Sequence, residues 1–145
     1  MLKIEEKPIL KIPEIIFYEN KNNEYKMLNL KKNTSIGYLM VSPRKDELFI
    51  NSLVIEAPYR RQGFGKKLLD FAKRVSIGMG FNGRMRCVAG LTPFDTKNPS
   101  HIFFRKYGFT GDDKKLIKKI DHAIKESKQL NPKSTTLAYM YFTNT

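Results

Sequence analysis

The stretch Ala57–Val75, APYRRQGFGKKLLDFAKRV, sets two arginines, a glutamine and two glycines where an apolar strand hands over to a helix. Glycines at such a point allow a tight turn and leave backbone N–H groups accessible. A helix N-terminus adds about half a positive charge and several N–H donors with no acceptor inside the helix. Together they make a pocket for an anion, most often a phosphate. Other chemistries lack their residues. His101 and His122 are the only histidines and Cys87 the only cysteine. A Cys/His metal site therefore has too few ligands, and no intrachain disulfide can form.

The spacing restricts which phosphate. A P-loop needs four residues between its first glycine and a Gly-Lys-Ser/Thr end. The segment GFGKKL has neither that spacing nor the hydroxyl. The dinucleotide fingerprint needs a third glycine three residues after the second. Leu68 stands there, too bulky for close helix–strand packing. Coenzyme A is the remaining candidate.

At this point a resemblance enters. LVIEAPYRRQGFGKKLL, Leu53–Leu69, is similar to the signature of the GNAT superfamily of N-acetyltransferases, Arg/Gln-x-x-Gly-x-Gly/Ala between an apolar strand and a helix. NPSHIFFRKYGF, Asn98–Phe109, resembles that family's second conserved stretch, a short helix with an aromatic, three residues and Gly-Phe. The resemblance runs from about Tyr25 to Phe109 and includes the last strand. It implies an α/β fold of the GNAT acyl-CoA N-acyltransferase kind, a mixed central sheet with splayed parallel strands and flanking helices. It implies acetyl-CoA as cofactor, its pantetheine arm lying in the splay. Backbone groups of Leu53, Val54 and Ile55 would hydrogen-bond the arm and polarise the thioester carbonyl. N–H groups of Arg61, Gln62, Gly63, Phe64, Gly65 and Lys66 would receive the pyrophosphate. Arg60, Arg61, Lys66 or Lys67 would add charge. Asn98 and Phe104 are the second motif's contribution to the cofactor side.

Two departures from the family pattern bear on catalysis. Many relatives keep a tyrosine four residues before the glycine of Gly-Phe, where its hydroxyl protonates the leaving thiolate. Here that position is Phe104, which has no proton to give. Many also carry a carboxylate on the motif strand as general base. Phe49 matches that position, and Glu47 lies two residues earlier on the same face. Tyr139 and Tyr141, on one face of the last strand, are the alternative acids. Asp95 and His101 flank the second motif. The structural alternatives are plain: rim or core aromatics for the two tyrosines, a solvent-facing helix position for His101, an inert core thiol for Cys87.

The elements that must position these residues follow from periodicity. One domain is expected over residues 1–145. Leu10–Tyr18 reads as a first strand broken by Pro13, ENKNNE as a turn, EYKMLNLKK and SIGYLMVSP as strands, and Glu47–Ile55 as a longer apolar strand. Phe64, Leu68, Phe71, Ala72, Val75 and Met79 follow helical spacing, with Lys66, Lys67, Asp70, Lys73 and Arg74 opposite. Asn82-Gly83 turns the chain into RMRCVAG, so strand–helix–strand predicts a parallel pair with a right-handed crossover. Asn98-Pro99 starts a short helix that Gly108 stops. Lys114–Leu130 is a second amphipathic helix capped by Asp112 or Asp113, and TTLAYMYF is the closing strand. The expected order is β-β-β-β-α-β-α-α-β. Fewer than ten residues separate the first two strands, so the two helices that wall the acceptor site in GNAT proteins are expected to be missing. The long Lys114–Leu130 helix is a candidate replacement, and the loop GLTPFDTKN a candidate cover for the thioester.

No stretch approaches the roughly 20 apolar residues that span a bilayer. The first residues carry acids and prolines where a signal peptide needs an apolar run. A cytoplasmic protein without membrane attachment is expected, its oligomeric state unassigned. The formal net charge is +13. Such a charge attracts nucleic acid, anionic membranes or phosphorylated ligands, although solvated lysines account for many charge runs. The expected function is an acetyl-CoA-dependent N-acetyltransferase with direct attack by an amine, the acceptor open between acidic and RNA-borne amines. The alternatives are a non-catalytic acyl-CoA-binding protein on the same fold and a basic nucleic-acid-binding module.

Overall fold

The structure, a computed structural model, describes residues 7–12, 15–91, 100–125 and 136–143. Seven strands form one sheet whose spatial order is the order of the chain: β1 Lys7–Ile12, β2 Ile15–Lys21, β3 Glu24–Asn29, β4 Thr34–Arg44, β5 Glu47–Ile55, β6 Met85–Leu91 and β7 Thr136–Phe142. Three helices are described: α1 Phe64–Gly78, α2 Ser100–Tyr107 and α3 Lys114–Lys125. Neighbouring strands are antiparallel except β5 and β6, which are parallel and joined through α1. The strand–helix–strand expectation holds there.

The start of the chain differs from expectation. The single strand broken by Pro13 is two paired strands, β1 and β2, with residues 13 and 14 between them. β2 and β3 are joined by a turn at Asn22 and Asn23, with Asn23 at φ 66°. No helix precedes Ala57 among the described residues, as the short separation implied.

β2, β3, β4 and β5 put Phe17, Met27, Ile36, Leu39, Leu48 and Ile50 into one core, joined by Met85, Cys87, Ala89 and Met140 from β6 and β7. α1 supplies Leu68, Leu69, Phe71 and Ala72. Phe71 stacks on Phe17 with ring centroids 4.5 Å apart and meets Tyr25 edge-on at 5.1 Å. Met79 was expected on this face, but the helix ends at Gly78 and Met79 is exposed. Ser76 is buried instead, its hydroxyl donating to Arg84 O at 2.8 Å and tying the helix end to the entry of β6.

α2 is anchored on both sides. Tyr107 Oη donates to Asp70 Oδ1 of α1 at 2.6 Å. Arg105 grips Asp121 of α3 with two bonds, Nε to Oδ1 at 2.7 Å and Nη2 to Oδ2 at 3.0 Å. Asp113 is the residue that caps α3, its Oδ1 accepting from Leu116 N at 3.1 Å. α3 is described as far as Lys125.

Candidate active site

The site begins with a residue too many. Along the β4–β5 ladder, Met40 faces Ser52 and Val41 faces Ile50, so Asn51 is a surplus residue in β5. Such a bulge bends its strand and shifts the phase of the backbone by one position. Before it, Leu48 N–H bonds Arg84 O on the β6 side. After it, Glu56 N–H bonds Ile36 O of β4, and the Val54 carbonyl abuts Gly37 of the same strand. By alternation Leu53 and Ile55 turn their backbone groups away from β4.

Those groups meet a gap. The β5–β6 ladder has three registered pairs, Leu48 with Met85, Phe49 with Arg86 and Ile50 with Cys87. Beyond Ile50, β5 stays with β4 as far as Ile55 opposite Gly37. Beyond Cys87, β6 stays with β7 as far as Leu91 opposite Thr136. The parallel strands splay, as the resemblance implied. Of the three residues named for backbone contacts there, Leu53 and Ile55 turn their backbone groups toward the gap, and Val54 turns its carbonyl toward Gly37.

At the open end of the gap the chain turns through a 3₁₀ segment, Ala57–Tyr59, into α1. The side chains of two residues assigned to the cofactor, Arg60 and Gln62, hold this turn together. Arg60 Nε donates to Ile55 O at 2.9 Å, and Gln62 Nε2 donates to Pro58 O at 2.8 Å. Arg61 and Gly63 both take left-handed backbone, at φ 61° and 84°. Gly63 is the N-cap of α1, and no side chain caps the helix. The first bond of the helix is Lys67 N to Gly63 O at 3.3 Å, so the N–H groups of Phe64, Gly65 and Lys66 have no acceptor within it. No acid lies in the first turn, while Lys66 and Lys67 do. Lys66 reaches Asp70 at 3.2 Å with both side chains well exposed.

The two glycines serve different ends. Gly63 has open space around it and is needed for its backbone angle. Gly65 admits the Phe103 ring of α2: a Cβ there would lie 2.9 Å from Phe103 Cε1. The two sequence motifs thus touch each other.

The candidate catalytic residues are not gathered together. Phe104 is buried at 7% exposure, its ring 5.3 Å from that of Phe103 and 5.0 Å from that of Phe109. Phe49 lies under Arg44, 4.0 Å from ring centroid to guanidinium. Glu47 stands at the start of β5, on the paired side of the splay, and accepts from Arg86 Nε at 2.6 Å. That bond is the main reason the Arg86 guanidinium is pushed above its ordinary value. Tyr141 lies opposite Arg86 in register, with the guanidinium 5.3 Å over its ring. It also exchanges backbone bonds with Thr110 at 2.9 Å each way. Tyr139 lies opposite Val88, the first β6 residue past the end of the β5 ladder, and is 64% exposed. Of the three, Tyr139 is nearest the opening in register. His101, expected at the surface, is buried at 2% exposure. Cys87 is buried as expected, and burial pushes its thiol up to about 12. Asn98 and Asp95 fall outside the described residues, as does most of GLTPFDTKN.

A cavity of about 300 Å³ lies beside Tyr139, lined by Arg86, Asp112, Asp113, Leu116, Ile117 and the β7 residues Ala138–Met140, with Gly111. Sequence reasoning missed Arg86 as a site residue. The alternation of RMRCVAG about buried Cys87 carried the signal, since it puts Arg86 and Val88 on the opposite face. No group of His, Cys, Asp and Glu that could hold a metal occurs among the described residues.

A family description of the GNAT acetyltransferase domain matches residues 14–111. The chain belongs to the GNAT family. Solved structures share the fold. Nourseothricin acetyltransferase superposes with a TM-score of 0.57 at 16% identity, over 90% of this chain and 65% of its own. A streptothricin acetyltransferase candidate from Bacillus anthracis, in complex with acetyl coenzyme A, gives 0.60 at 18% identity, over 97% and 83%. A Bacillus subtilis acetyltransferase in complex with CoA gives 0.57 at 12% identity, over 92% and 80%. No curated protein matches in sequence. In this GNAT chain the splay and the turn before α1 are where the family motif falls. No helix among the described residues is long and apolar enough to cross a membrane.

Proposed function

We propose that the chain is an acetyl-CoA-dependent N-acetyltransferase that works by direct attack of an amine on the thioester. The observation that carries this reading is the end of the β5–β6 ladder at Ile50 and Cys87, directly before a turn that opens an uncapped helix. Two lysines in the first turn of a helix, with no acid, oppose the macrodipole by several tenths of a kcal/mol each. A pyrophosphate bound by the N–H groups from Gly63 to Lys66 turns that opposition into attraction. Leu53 and Ile55 then hydrogen-bond the pantetheine arm along the edge that β6 has left. Solved GNAT neighbours include proteins bound to acetyl coenzyme A and to CoA, which supports the same cosubstrate here.

The acceptor amine enters from the Tyr139 side, where Tyr139 and Arg86 line a cavity. It must arrive neutral, since an alkyl ammonium has a pKa of about 10. Water takes that proton. The Leu53 N–H steadies the oxyanion as it forms. Tyr139 is the residue we assign to protonate the departing thiolate, in place of the tyrosine absent at Phe104, and the proton that the attacking nitrogen gives up as the intermediate collapses restores the phenol. Glu47 positions Arg86 and is not the base. The buried single thiol fits a reducing cytoplasm, the compartment we assign.

The test is acetyl transfer from labelled acetyl-CoA across a panel of small amines, peptides and charged RNAs, with a thermal melt alongside. Acetyl-CoA at a hundred times its dissociation constant adds about 2.7 kcal/mol of stability. A melt unmoved by millimolar acetyl-CoA rejects the cofactor assignment. Phe104 favours one second reading, an acyl-CoA-binding protein without chemistry. A shifted melt with no acetylated product in the panel selects it.

A further inference from the structure

The helices carry most of the chain's charge. α1, α2 and α3 hold eleven lysines and arginines against two aspartates, a surplus of nine out of the chain's thirteen. Both aspartates are engaged between helices: Asp70 with Tyr107 and Asp121 with Arg105. The acids therefore join the helices, and most of the cations, Arg105 and Lys73 apart, face outward. On α3, Lys114, Lys115, Lys118, Lys119, His122 and Lys125 are all exposed. Lys115, Lys118, His122 and Lys125 recur at steps of three, four and three, one line along the helix of about 15 Å at 1.5 Å per residue.

We infer that this outer face of α3 is a docking surface for the phosphate backbone of nucleic acid. The inference goes beyond acetyl transfer and does not depend on it. Charge complementarity chooses the class: a row of cations whose one helix acid, Asp121, is held by Arg105 gains by releasing counterions from a polyphosphate. A membrane surface fits less well. A helix that lies on a bilayer inserts its apolar face. The apolar face of α3 is already in the core, with Ile117, Ile120 and Ala123 buried. Among the described residues the large exposed hydrophobics are Leu30, Tyr38, Ile77, Met79, Val88 and Tyr139, none on α3. Readout is of backbone and not sequence, because lysines on a convex helix reach phosphates without entering a groove.

The experiment is fluorescence anisotropy with a labelled RNA hairpin of about 24 nucleotides, at several salt concentrations and with saturating acetyl-CoA present. Acetyl-CoA keeps the probe out of the pyrophosphate pocket. The variant Lys115→Gln/Lys118→Gln/Lys119→Gln/Lys125→Gln is compared with the unaltered chain, and a thermal melt verifies that it folds. The single variants Lys118→Gln and Lys125→Gln serve if it does not. The expected result is affinity at least tenfold weaker in the quadruple variant and a log–log salt slope shallower by about 3. The inference is overturned if the hairpin does not bind near physiological salt, or if the variant that folds binds it unchanged. It is also overturned if phosphatidylserine vesicles or poly-glutamate compete as well as unlabelled RNA.

Discussion

The Phe103 ring sits where a side chain on Gly65 would have to go, 2.9 Å from the position of its Cβ. The second glycine of the signature is thus a packing contact between α1 and α2. Gly65→Ala is expected to destabilise the fold by about 1–3 kcal/mol through overpacking. Phe103→Leu in the same chain should recover part of the loss. Urea unfolding of the two single variants and the double variant measures it, and additive losses would refute the contact. Gly63→Ala has no clash to relieve, and it should cost about 1–2 kcal/mol for its left-handed backbone alone.

Tyr107→Phe removes the hydroxyl that bonds Asp70. The Tyr107 phenol is pushed up, first by burial and then by its bond to the Asp70 carboxylate. A raised folded value contributes stability that is complete below the ordinary phenol range and is lost as pH rises toward the folded value. Stability should therefore fall above about pH 10, and the fall should be smaller in Tyr107→Phe. Burial also raises Tyr25, which leaves a remnant slope in the variant. Guanidinium melts between pH 8 and 11 read both curves.

Arg105 holds the Asp121 carboxyl below its ordinary value through their hydrogen bonds. A lowered carboxylate contributes stability above its ordinary value and loses it as pH falls through the folded one. Asp121→Asn should therefore be less stable than the native chain at pH 7 and equal to it in strong acid. The pair is half exposed, so the difference at pH 7 should be within about 1 kcal/mol.

Tyr139→Phe should lower kcat by about 10²-fold or more at unchanged acetyl-CoA affinity, the usual range for a general acid. Tyr141→Phe, set back beside Arg86, should leave kcat near the native value. Phe104→Tyr should not restore activity. It forces a hydroxyl among Phe103 and Phe109 and should lower the melting temperature instead. Steady-state kinetics with an acceptor found by the panel separates these outcomes.

Cys87 should resist thiol reagents in the folded protein at pH 8 and react promptly in urea. Its thiol is pushed up to about 12 by burial, so little thiolate exists to attack.

The strand–turn–helix unit and the parallel pair were legible because their signals are local. Alternation in Glu47–Ile55, helical spacing after Gly63 and the Asn82-Gly83 turn each act within a few residues. Asn82 and Gly83 indeed take φ 56° and 84°. Leu10–Tyr18 was read as one strand broken by Pro13 because a proline marks an interruption without saying whether the chain continues or reverses. His101 was misplaced because a lone histidine in a short helix carries no sign of its facing. The roles of Gly65, Asp70 and Arg86 depend on Phe103, Tyr107 and Glu47, partners 37 to 39 residues away in sequence. No local pattern encodes those partners. The change of backbone phase between Ile50 and Leu53 was not legible either, because a bulge leaves no mark in composition.

The surplus Asn51 makes β5 a strand written in two reading frames. Upstream, the even-numbered Leu48 and Ile50 face the core; downstream, the odd-numbered Leu53 and Ile55 pack against it. Deleting this one residue would be a frameshift in space. Every side chain after it would turn to the other face, and the backbone edge now turned toward the gap would be exchanged for the one that pairs with β4. Length in this strand is therefore under tighter constraint than identity: a substitution at Asn51 costs a hydrogen bond to Ser42, whereas its loss would erase the slot.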